Sequence, residues 1–134
     1  MTPPQEDLAA RRPIWEALSE MFLDTDVTVD RNWRAAKLAE SPYSLDELDA
    51  ILADEVYPVC KNNLVCVAGV WTGFDPEWLE SAILRRMSRP RWFASWFRFG
   101  RRVPLVADEW RETRLAILAR RQGLEMAAAD ECQK

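Results

Sequence analysis

"SLDELDAILADEV", residues 44–56, is the stretch that decides the fold class. Ser44 and Glu47 have the spacing of a capping box, in which each side chain accepts a hydrogen bond from the other residue's backbone N–H at the start of a helix. Apolar residues then recur at helical intervals and form a single stripe, namely Leu45, Leu48, Ile51, Leu52 and Val56. The stretch therefore predicts an amphipathic helix, and Pro58 is expected to end or kink it.

Two further helices are predicted before this one. The first is expected from about Leu8 to Leu23, because apolar residues recur there at helical spacing, and Pro13 is expected to begin its regular part. The second is a short helix over residues 31–40, with Asp30 as its N-cap. Its inward-facing side chains are predicted to be Trp33, Ala36 and Leu38.

Two more helices are predicted towards the C-terminus. Asp75 and Pro76 are residue types preferred at the N-cap and the first position of a helix. The apolar stripe of that helix consists of Leu79, Ile83 and Met87. The final helix is predicted over residues 108–122, with Gly123 as its stop signal.

The segment "NLVCVAGVW" (63–71) is ambiguous between helix and strand. Its β-branched residues suit a strand, but no second convincing strand exists to pair with it, so we interpret it as a short buried helix ending near Gly69. Residues 1–7 are polar and proline-bearing and are expected to be frayed. Together these patterns predict an all-α fold, in which residues 1–134 form a single compact domain of five to seven helices.

Histidine is absent from the 134 residues, which limits the chemistry open to the chain. Without it there is no Ser-His or Cys-His nucleophile and no ordinary base for neutral pH. The three cysteines, Cys60, Cys66 and Cys132, have no CxxC spacing, so a zinc site would need thiolates and carboxylates alone, an uncommon donor set. We therefore predict that the protein is not an enzyme and that it binds no metal and no cofactor.

The location of the protein is predicted from what the chain does not contain. The N-terminus has no positively charged region followed by an apolar run, as a signal peptide would have. No stretch of the sequence approaches eighteen uninterrupted apolar residues, so no membrane span is expected. We predict a cytoplasmic protein whose thiols stay reduced.

Charge is divided unequally along the chain. Up to Glu80 there are sixteen acidic and six basic residues, a net charge of −10; from Ser81 onward there are six acidic and twelve basic residues, a net charge of +6, which together give −4. In one interpretation the two halves attract each other within the fold. In the other, one acidic face steers a basic partner towards the protein and speeds association.

The stretch "RPRWFASWFRFGRR" (89–102) interleaves aromatic and arginine side chains. On an idealised helical wheel its five aromatic rings share one face, whereas Arg91 and Arg98 lie outside it. We favour a core helix with a solvated arginine rim. A groove for a partner protein, a surface that stacks single-stranded nucleic acid, and an interfacial membrane helix are the alternatives.

Acidic residues of the third predicted helix are the first candidate contacts with a partner. Asp46, Asp49 and Asp54 lie largely away from the apolar stripe, so their carboxylates are expected to be accessible. These carboxylates could mimic the phosphates of a toxin's substrate or bind in the toxin's basic cleft.

A loop and two carboxylate pairs are the remaining candidates. In "GVWTGFD" (69–75), Trp71 and Phe74 are expected to anchor the loop to the core, with a partner-binding loop as the alternative. The carboxylate pairs are Asp24 with Asp26 and Asp54 with Glu55. Asp24 and Asp26 lack the remaining spacing of a calcium-binding loop, so capping and surface roles are expected.

Three segments resemble a small proteobacterial family of unknown function. They are "RRPIWEALSEMFLDTDV", "LAESPYSLDELDAILADEVYPV" and "GVWTGFDPEWLESAIL", with the motifs R-P-x-W-x-A-L-S-x-x-F-L-D-T, S-P-x-S-L-x-E-L and W-x-G-F-D-x-x-W-L. The resemblance covers about residues 11–84 and does not reach the aromatic–arginine stretch or the last helix. It implies a bacterial, cytoplasmic, single-domain protein and assigns no functional site.

The function predicted from these observations is that of a protein-binding module. More narrowly, a small acidic helical protein with no catalytic set suits an immunity-type protein that neutralises a toxin by occluding it. The predicted partner-binding residues are Asp46, Asp49, Asp54, Trp71 and Phe74. The alternative is a nucleic-acid-associated regulator that uses the arginine-rich segment 85–102.

Overall fold

The apolar stripe of the first helix forms the centre of the core. The computed structural model describes residues 1–64, 69, 72–88 and 103–132, with side chains as far as residue 124. In it, α1 spans Leu8–Ser19 and is followed by a 3-10 turn over Glu20–Phe22. Trp15, Leu18 and Phe22 are fully buried. Helix α1 contacts α2 (Arg31–Ala39), α5 (Pro76–Met87) and the π-helical segment Leu52–Val56, so these elements surround one core.

Helix α1 begins at Leu8 as expected, but the expectation that its regular part begins at Pro13 is wrong. Pro13 lies inside the helix, which begins at Leu8 after a 3-10 turn over Pro4–Glu6. Arg11 explains why the helix is already regular before Pro13. Its side chain is buried one turn after the helix begins. Its Nη1 donates to the carbonyl oxygen of Thr2 at 3.0 Å and to Asp7 at 3.2 Å. These bonds hold the first turns in helical conformation despite the missing N–H of proline.

Helix α2 has the predicted bounds but a different inward face. Its buried residues are Arg34, Ala35 and Leu38, whereas Trp33, expected to face inward, is 42% exposed. Asp30 precedes the helix, but its side chain makes no capping hydrogen bond. Ion pairs of Arg34 therefore replace the apolar packing that the sequence pattern suggested.

Helix α3 begins where the sequence predicted. It spans Leu45–Ile51, and the capping box between Ser44 and Glu47 is present. The helix continues through the π-helical segment Leu52–Val56 into α4, Tyr57–Cys60, which contains Pro58. The wider π-helical turn, in which the N–H of Tyr57 donates to the carbonyl of Leu52, directly precedes the proline, so the run passes through Pro58 without ending.

The next elements are a 3-10 turn over Lys61–Leu64 and helix α5, Pro76–Met87. Asp75 caps α5 as predicted, since its side chain accepts a hydrogen bond from the N–H of Glu77. Leu79 and Ile83 are buried, but Met87, the third residue of the predicted stripe, is exposed. The prediction for residues 63–71 falls mostly outside the described residues, as does the whole of the prediction for 89–102.

The last helix is longer than predicted. After a 3-10 turn over Pro104–Val106, α6 spans Ala107–Cys132, so Gly123 does not stop it. A Cβ at Gly123 would meet no atom within 4 Å, which marks an ordinary helical position without a special backbone conformation. One glycine costs a helix only about 1 kcal/mol, which is too little to end a long helix by itself.

The all-α prediction is confirmed. The described residues contain no strand, and they form five helices if the continuous run from α3 to α4 is counted once. None of the helices in these ranges combines the length and the apolar content needed to cross a membrane.

Candidate functional site

An open apolar groove lies between the start of α3 and the first half of α6. Its volume is about 570 Å³, a size typical of ligand pockets in proteins. The apolar residues that line it are Leu45, Val103, Pro104, Ala107, Trp110, Leu115 and Leu118. We call it the α3–α6 groove.

The groove continues into a smaller cavity with a polar lining. This second cavity has a volume of about 370 Å³, and Asp46, Asp49 and Leu52 line it on the side of α3. Val103, Trp110 and Arg114 line both cavities, so the two are parts of one depression. The structure thus brings two of the predicted partner-binding residues to an apolar groove.

Asp49 connects α3 to α6 beneath this depression. Its Oδ1 accepts a hydrogen bond of 2.7 Å from Nε1 of Trp110, and its Oδ2 lies 3.5 Å from Nη1 of Arg114. A buried indole N–H normally requires such an acceptor. Asp49 therefore positions one wall of the groove, and its half-buried side chain also lines the polar cavity.

Helix α6 presents two different faces. Trp110, Thr113 and Ile117 are buried against the rest of the domain. Leu115 and Leu118, by contrast, are 56% and 42% exposed and lie along the groove. Their spacing of three residues places them on one helix face, so α6 exposes an apolar surface.

The two arginines of the groove are both paired within the chain. Arg111 Nη2 donates to Asp108 Oδ1 at 2.7 Å, and Arg114 is paired with Asp49. Asp46 is exposed, and within the described ranges it has no hydrogen bond or ion pair. The groove therefore combines an apolar floor with one uncompensated carboxylate at its polar end.

The other predicted site residues lie elsewhere. Asp54 is half-buried in the π-helical segment, and Phe74 is half-buried before α5; neither lines the groove. The ring of Phe74 stacks on Trp78 with centroids 5.8 Å apart, and Phe74 also packs against the core, as its expected anchoring role requires. Trp71 lies outside the described residues.

The sequence pattern missed the α6 side of the groove. Trp110, Thr113 and Ile117 form a stripe at helical spacing that was available in the sequence. Leu115 and Leu118 are apolar but lie off that stripe. Apolar residues on a second face of the same helix are the signal from which the exposed apolar face could have been predicted.

A buried ionic cluster joins α1 to the π-helical segment. Arg11, 1% exposed, forms a two-pronged pair with Glu55, 3% exposed, through contacts of 3.2 and 3.1 Å. Glu55 also accepts a hydrogen bond of 2.9 Å from Nε1 of Trp15, and Arg11 donates to the hydroxyl of Tyr43. Side chains so deeply buried are closed to a substrate, so the cluster holds the fold together.

A second cluster joins α2 to α6. Arg31 and Arg34 both donate to Glu109, at distances between 2.7 and 2.9 Å, and these bonds hold the pKa of its carboxyl below the usual value. Burial lowers the pKa of Arg34, whose Nε has no hydrogen-bond partner in the described part of the chain. This cluster fixes α6 in the orientation that presents the groove.

The acidic residues show no arrangement suited to a metal ion. Across residues 1–64, 69, 72–88 and 103–124 no group of three or more histidine, cysteine or carboxylate side chains is placed to hold one. Asp26 is exposed and accepts hydrogen bonds from the N–H and the hydroxyl of Thr28, which lower the pKa of its carboxyl. These bonds lie in the turn before α2 and do not cap a helix.

Comparison with known proteins identifies a family without assigning an activity. Residues 9–118 match the family model described as "Domain of unknown function (DUF7079)". Neither a curated protein nor a solved structure matches the chain significantly. The matched range includes α1 to α5 and the part of α6 that lines the groove, and the chain therefore belongs to the DUF7079 family.

Proposed function

We propose that this protein is a protein-binding module and that its binding surface is the α3–α6 groove. The observation that carries the proposal is the exposure of Leu115 and Leu118 along a groove whose other end holds Asp46. Contiguous exposed apolar surface rimmed by polar residues is typical of interaction sites. Burying these side chains in a partner would supply the hydrophobic part of the binding energy.

The rigidity of α6 supports the same proposal. Its inner face is held by the Arg31–Glu109 and Arg34–Glu109 pairs and by the bond from Trp110 to Asp49. Arg121 also donates to the carbonyl oxygens of Leu38 and Tyr43, at 3.1 and 2.7 Å. A helix anchored at several points presents its outer residues at low entropic cost, which favours recognition of a partner.

A narrower proposal is that the partner is a toxin and that this protein neutralises it as an immunity-type protein. The chain carries a net charge of −4, and Asp46 is exposed at the groove. An acidic protein is attracted to enzymes with basic substrate clefts, such as those that act on nucleic acids, and long-range attraction speeds such association. Binding through the groove would then cover the cleft.

The proposal is tested by capture of the partner with matched variants. The tagged full chain is used as bait in an extract of its native host, with nuclease treatment, and bound proteins are quantified by mass spectrometry. The bait variants are Leu115→Gln with Leu118→Gln, Asp46→Lys, and the control Val29→Gln, which changes a still more exposed apolar residue outside the groove.

We expect one stoichiometric protein that survives nuclease treatment, is retained by Val29→Gln and is lost with the Leu115→Gln, Leu118→Gln bait. A partner retained equally by every bait would show that the groove is not the binding surface. To test the narrower proposal, the captured protein is assayed for toxicity and activity with and without this chain; a partner whose activity is unaffected contradicts the immunity role.

A nucleic-acid-associated regulator is the second candidate function. Arg85 and Arg86 are exposed at the end of α5, and Trp78, stacked on Phe74, is exposed near its start. Aromatic rings near arginines can stack bases and neutralise phosphates. The remaining arginines of this candidate, Arg89, Arg91, Arg101 and Arg102, lie outside the described residues.

A salt-titrated mobility-shift assay with single-stranded DNA and RNA tests this second candidate. Nucleic-acid binding would weaken steeply with salt, and Arg85→Gln with Arg86→Gln would reduce the slope of that dependence. If no shift is seen at low salt, the candidate is rejected.

A further inference from the structure

We infer that the occupant of the α3–α6 groove is an amphipathic α-helix of the partner protein, with an apolar stripe that ends in a lysine or arginine facing Asp46. The inference rests on the proposed function and states which kind of partner segment the groove recognises. Two observations support it, namely the length of the apolar floor and the exposed carboxylate of Asp46 at the polar end.

The apolar floor has the dimensions of a helix stripe. The residues of α6 that line it run from Ala107 to Leu118, a distance of about 16 Å along the helix axis, or three turns. Leu45 lines the opposite side. A helix lying in a groove of this length contacts it through residues at positions i, i+3 or i+4, and i+7, which is a common mode of peptide recognition.

The charges of the groove define the polar requirement. Arg111 and Arg114 are already paired with Asp108 and Asp49, so the floor between them presents little net charge to a ligand. The carboxylate of Asp46 is exposed and, in the described part of the chain, forms no ion pair, because Arg114, which lines the same cavity, is paired with Asp49. A basic side chain at one end of the partner's stripe would supply the cation of such a pair.

A second copy of this chain fits the groove less well. In a two-fold symmetric pair the same surface meets itself. Among the described residues that line the groove, both arginines are already paired, with Asp108 and Asp49, so in such a pair these residues bring no unpaired cation to Asp46. The Asp46 carboxylate would then lose water without gaining a partner, which disfavours the pairing.

The experiment uses two synthetic helical peptides as probes. Both have the same leucine stripe at positions i, i+4 and i+7 on an alanine and glutamine background; one ends the stripe in lysine and the other in glutamate. Affinity for the full chain is measured by fluorescence polarisation at low salt. The proteins compared are the wild type, Asp46→Lys, Leu115→Gln with Leu118→Gln, and Val29→Gln.

We expect the wild type to bind the lysine peptide about fivefold more tightly than the glutamate peptide. Lysine would form an exposed ion pair with Asp46, whereas glutamate would be repelled by it, and a difference of this size is typical of exposed charges. Asp46→Lys should reverse that preference. Leu115→Gln with Leu118→Gln should weaken both peptides about tenfold or more, because two buried leucine contacts are lost. Val29→Gln should bind both peptides as the wild type does.

Three results would overturn the inference. The first is equal affinity for the two peptides or a preference that Asp46→Lys leaves unchanged. The second is a dimer in sedimentation that Leu115→Gln with Leu118→Gln dissociates, which would make a second copy the occupant. The third is binding that appears only when residues 89–102 are replaced by a glycine–serine linker, which would make that segment of the chain the occupant.

Failure of this inference is distinguishable from failure of the proposed function. If the peptides do not bind but capture of the native partner still depends on Leu115 and Leu118, the protein is a binding module that recognises a different kind of segment. If capture does not depend on those residues, the groove is not the binding surface at all.

Discussion

Arg11 and Glu55 show how one buried pair of charges supports two elements of this fold. The pair lies between α1 and the π-helical segment, and both side chains are almost completely buried. The free energy of desolvation opposes the burial of charge, so such a pair is stable only with complete hydrogen bonding. Here Trp15 and Tyr43 supply further bonds, to Glu55 and to Arg11 respectively.

Breaking this pair is expected to be strongly destabilising. Arg11→Met should lower the free energy of unfolding by about 3 kcal/mol, because it leaves Glu55 buried without a cation. Glu55→Gln should also lower it, because Arg11 keeps only one carboxylate partner, the more exposed Asp7. The double variant should cost less than the sum of the two. Urea denaturation measures all three. Arg12→Met, which removes the exposed pair with Glu80, is the control and should change stability far less; equal losses at Arg11 and Arg12 would contradict this role.

Cys60 gives a prediction about reactivity. Burial raises the pKa of its thiol to about 12, so almost none of the reactive thiolate is present in the native protein. In a Cys66→Ser, Cys132→Ser background, Cys60 should not react with a disulfide reagent at about pH 8 until the chain is unfolded. Rapid reaction of the native protein would show that this part of the core is open.

The same thiol predicts a dependence of stability on pH. Its pKa in the folded protein is raised from 9.0 to about 12, so the unfolded chain loses the proton first as the pH rises. The stability that Cys60 contributes is therefore fully present below about pH 9 and is lost between about pH 9 and 12. Cys60→Ala should make the decline of unfolding free energy in this range shallower; an unchanged slope would contradict the assignment.

At the scale of elements, two glycines have opposite roles. Gly123 lies inside α6, where a Cβ would meet nothing within 4 Å, whereas a Cβ at Gly69 would lie 2.6 Å from the backbone oxygen of Asn63. Gly69 thus permits a close approach of two chain segments. Gly123 only lowers the helix propensity of its position.

Alanine substitution at these glycines forms a matched pair of variants. Gly123→Ala should raise the free energy of unfolding by about 1 kcal/mol, since alanine favours the helix and nothing obstructs its methyl group. Gly69→Ala should lower it, because backbone atoms would have to move. Denaturant unfolding of both variants measures the effects, and a stabilising Gly69→Ala would contradict the close approach.

The helices that the sequence located best are those with local signals. Ser44 with Glu47 and Asp75 with Pro76 mark helix starts through bonds between neighbouring residues, and both starts were predicted correctly. Pro13 and Gly123 are also local signals, yet α1 and α6 continue through them. In α1 tertiary bonds made by Arg11 outweigh the cost of the proline, and in α6 a single glycine is too weak to stop a long helix.

The candidate site could be predicted only in part, because it depends on contacts between distant segments. Asp46 was recognised from its position opposite the apolar stripe of α3. The role of Asp49 depends on Trp110, which is sixty-one residues further along the chain, and no local pattern links the two. The buried Arg34 was missed because Trp33 was expected to face inward, and the burial of Arg34 depends on its ion pair with Glu109, seventy-five residues further along the chain.

At the scale of the whole molecule, ion pairs join the acidic first part of the chain to the last helix. Basic residues of the acidic first part, Arg31 and Arg34, hold Glu109 of the last helix, while Arg114 of that helix reaches Asp49. These pairs join the two parts of the chain in both directions. Of these pairs, the one between Arg114 and Asp49 has the polarity expected of an acidic first part and a basic second part, whereas the pairs with Glu109 have the opposite polarity. Asp46 is exposed.

The most direct test of the central proposal is hydrogen–deuterium exchange of the full chain with and without its captured partner. The account predicts that the partner slows exchange in residues 45–52 and 107–118, the segments of α3 and α6 that form the groove, and that Leu115→Gln with Leu118→Gln abolishes this protection. Slower exchange confined to α5, with no change at the groove, would contradict the account and favour the surface of Trp78, Arg85 and Arg86.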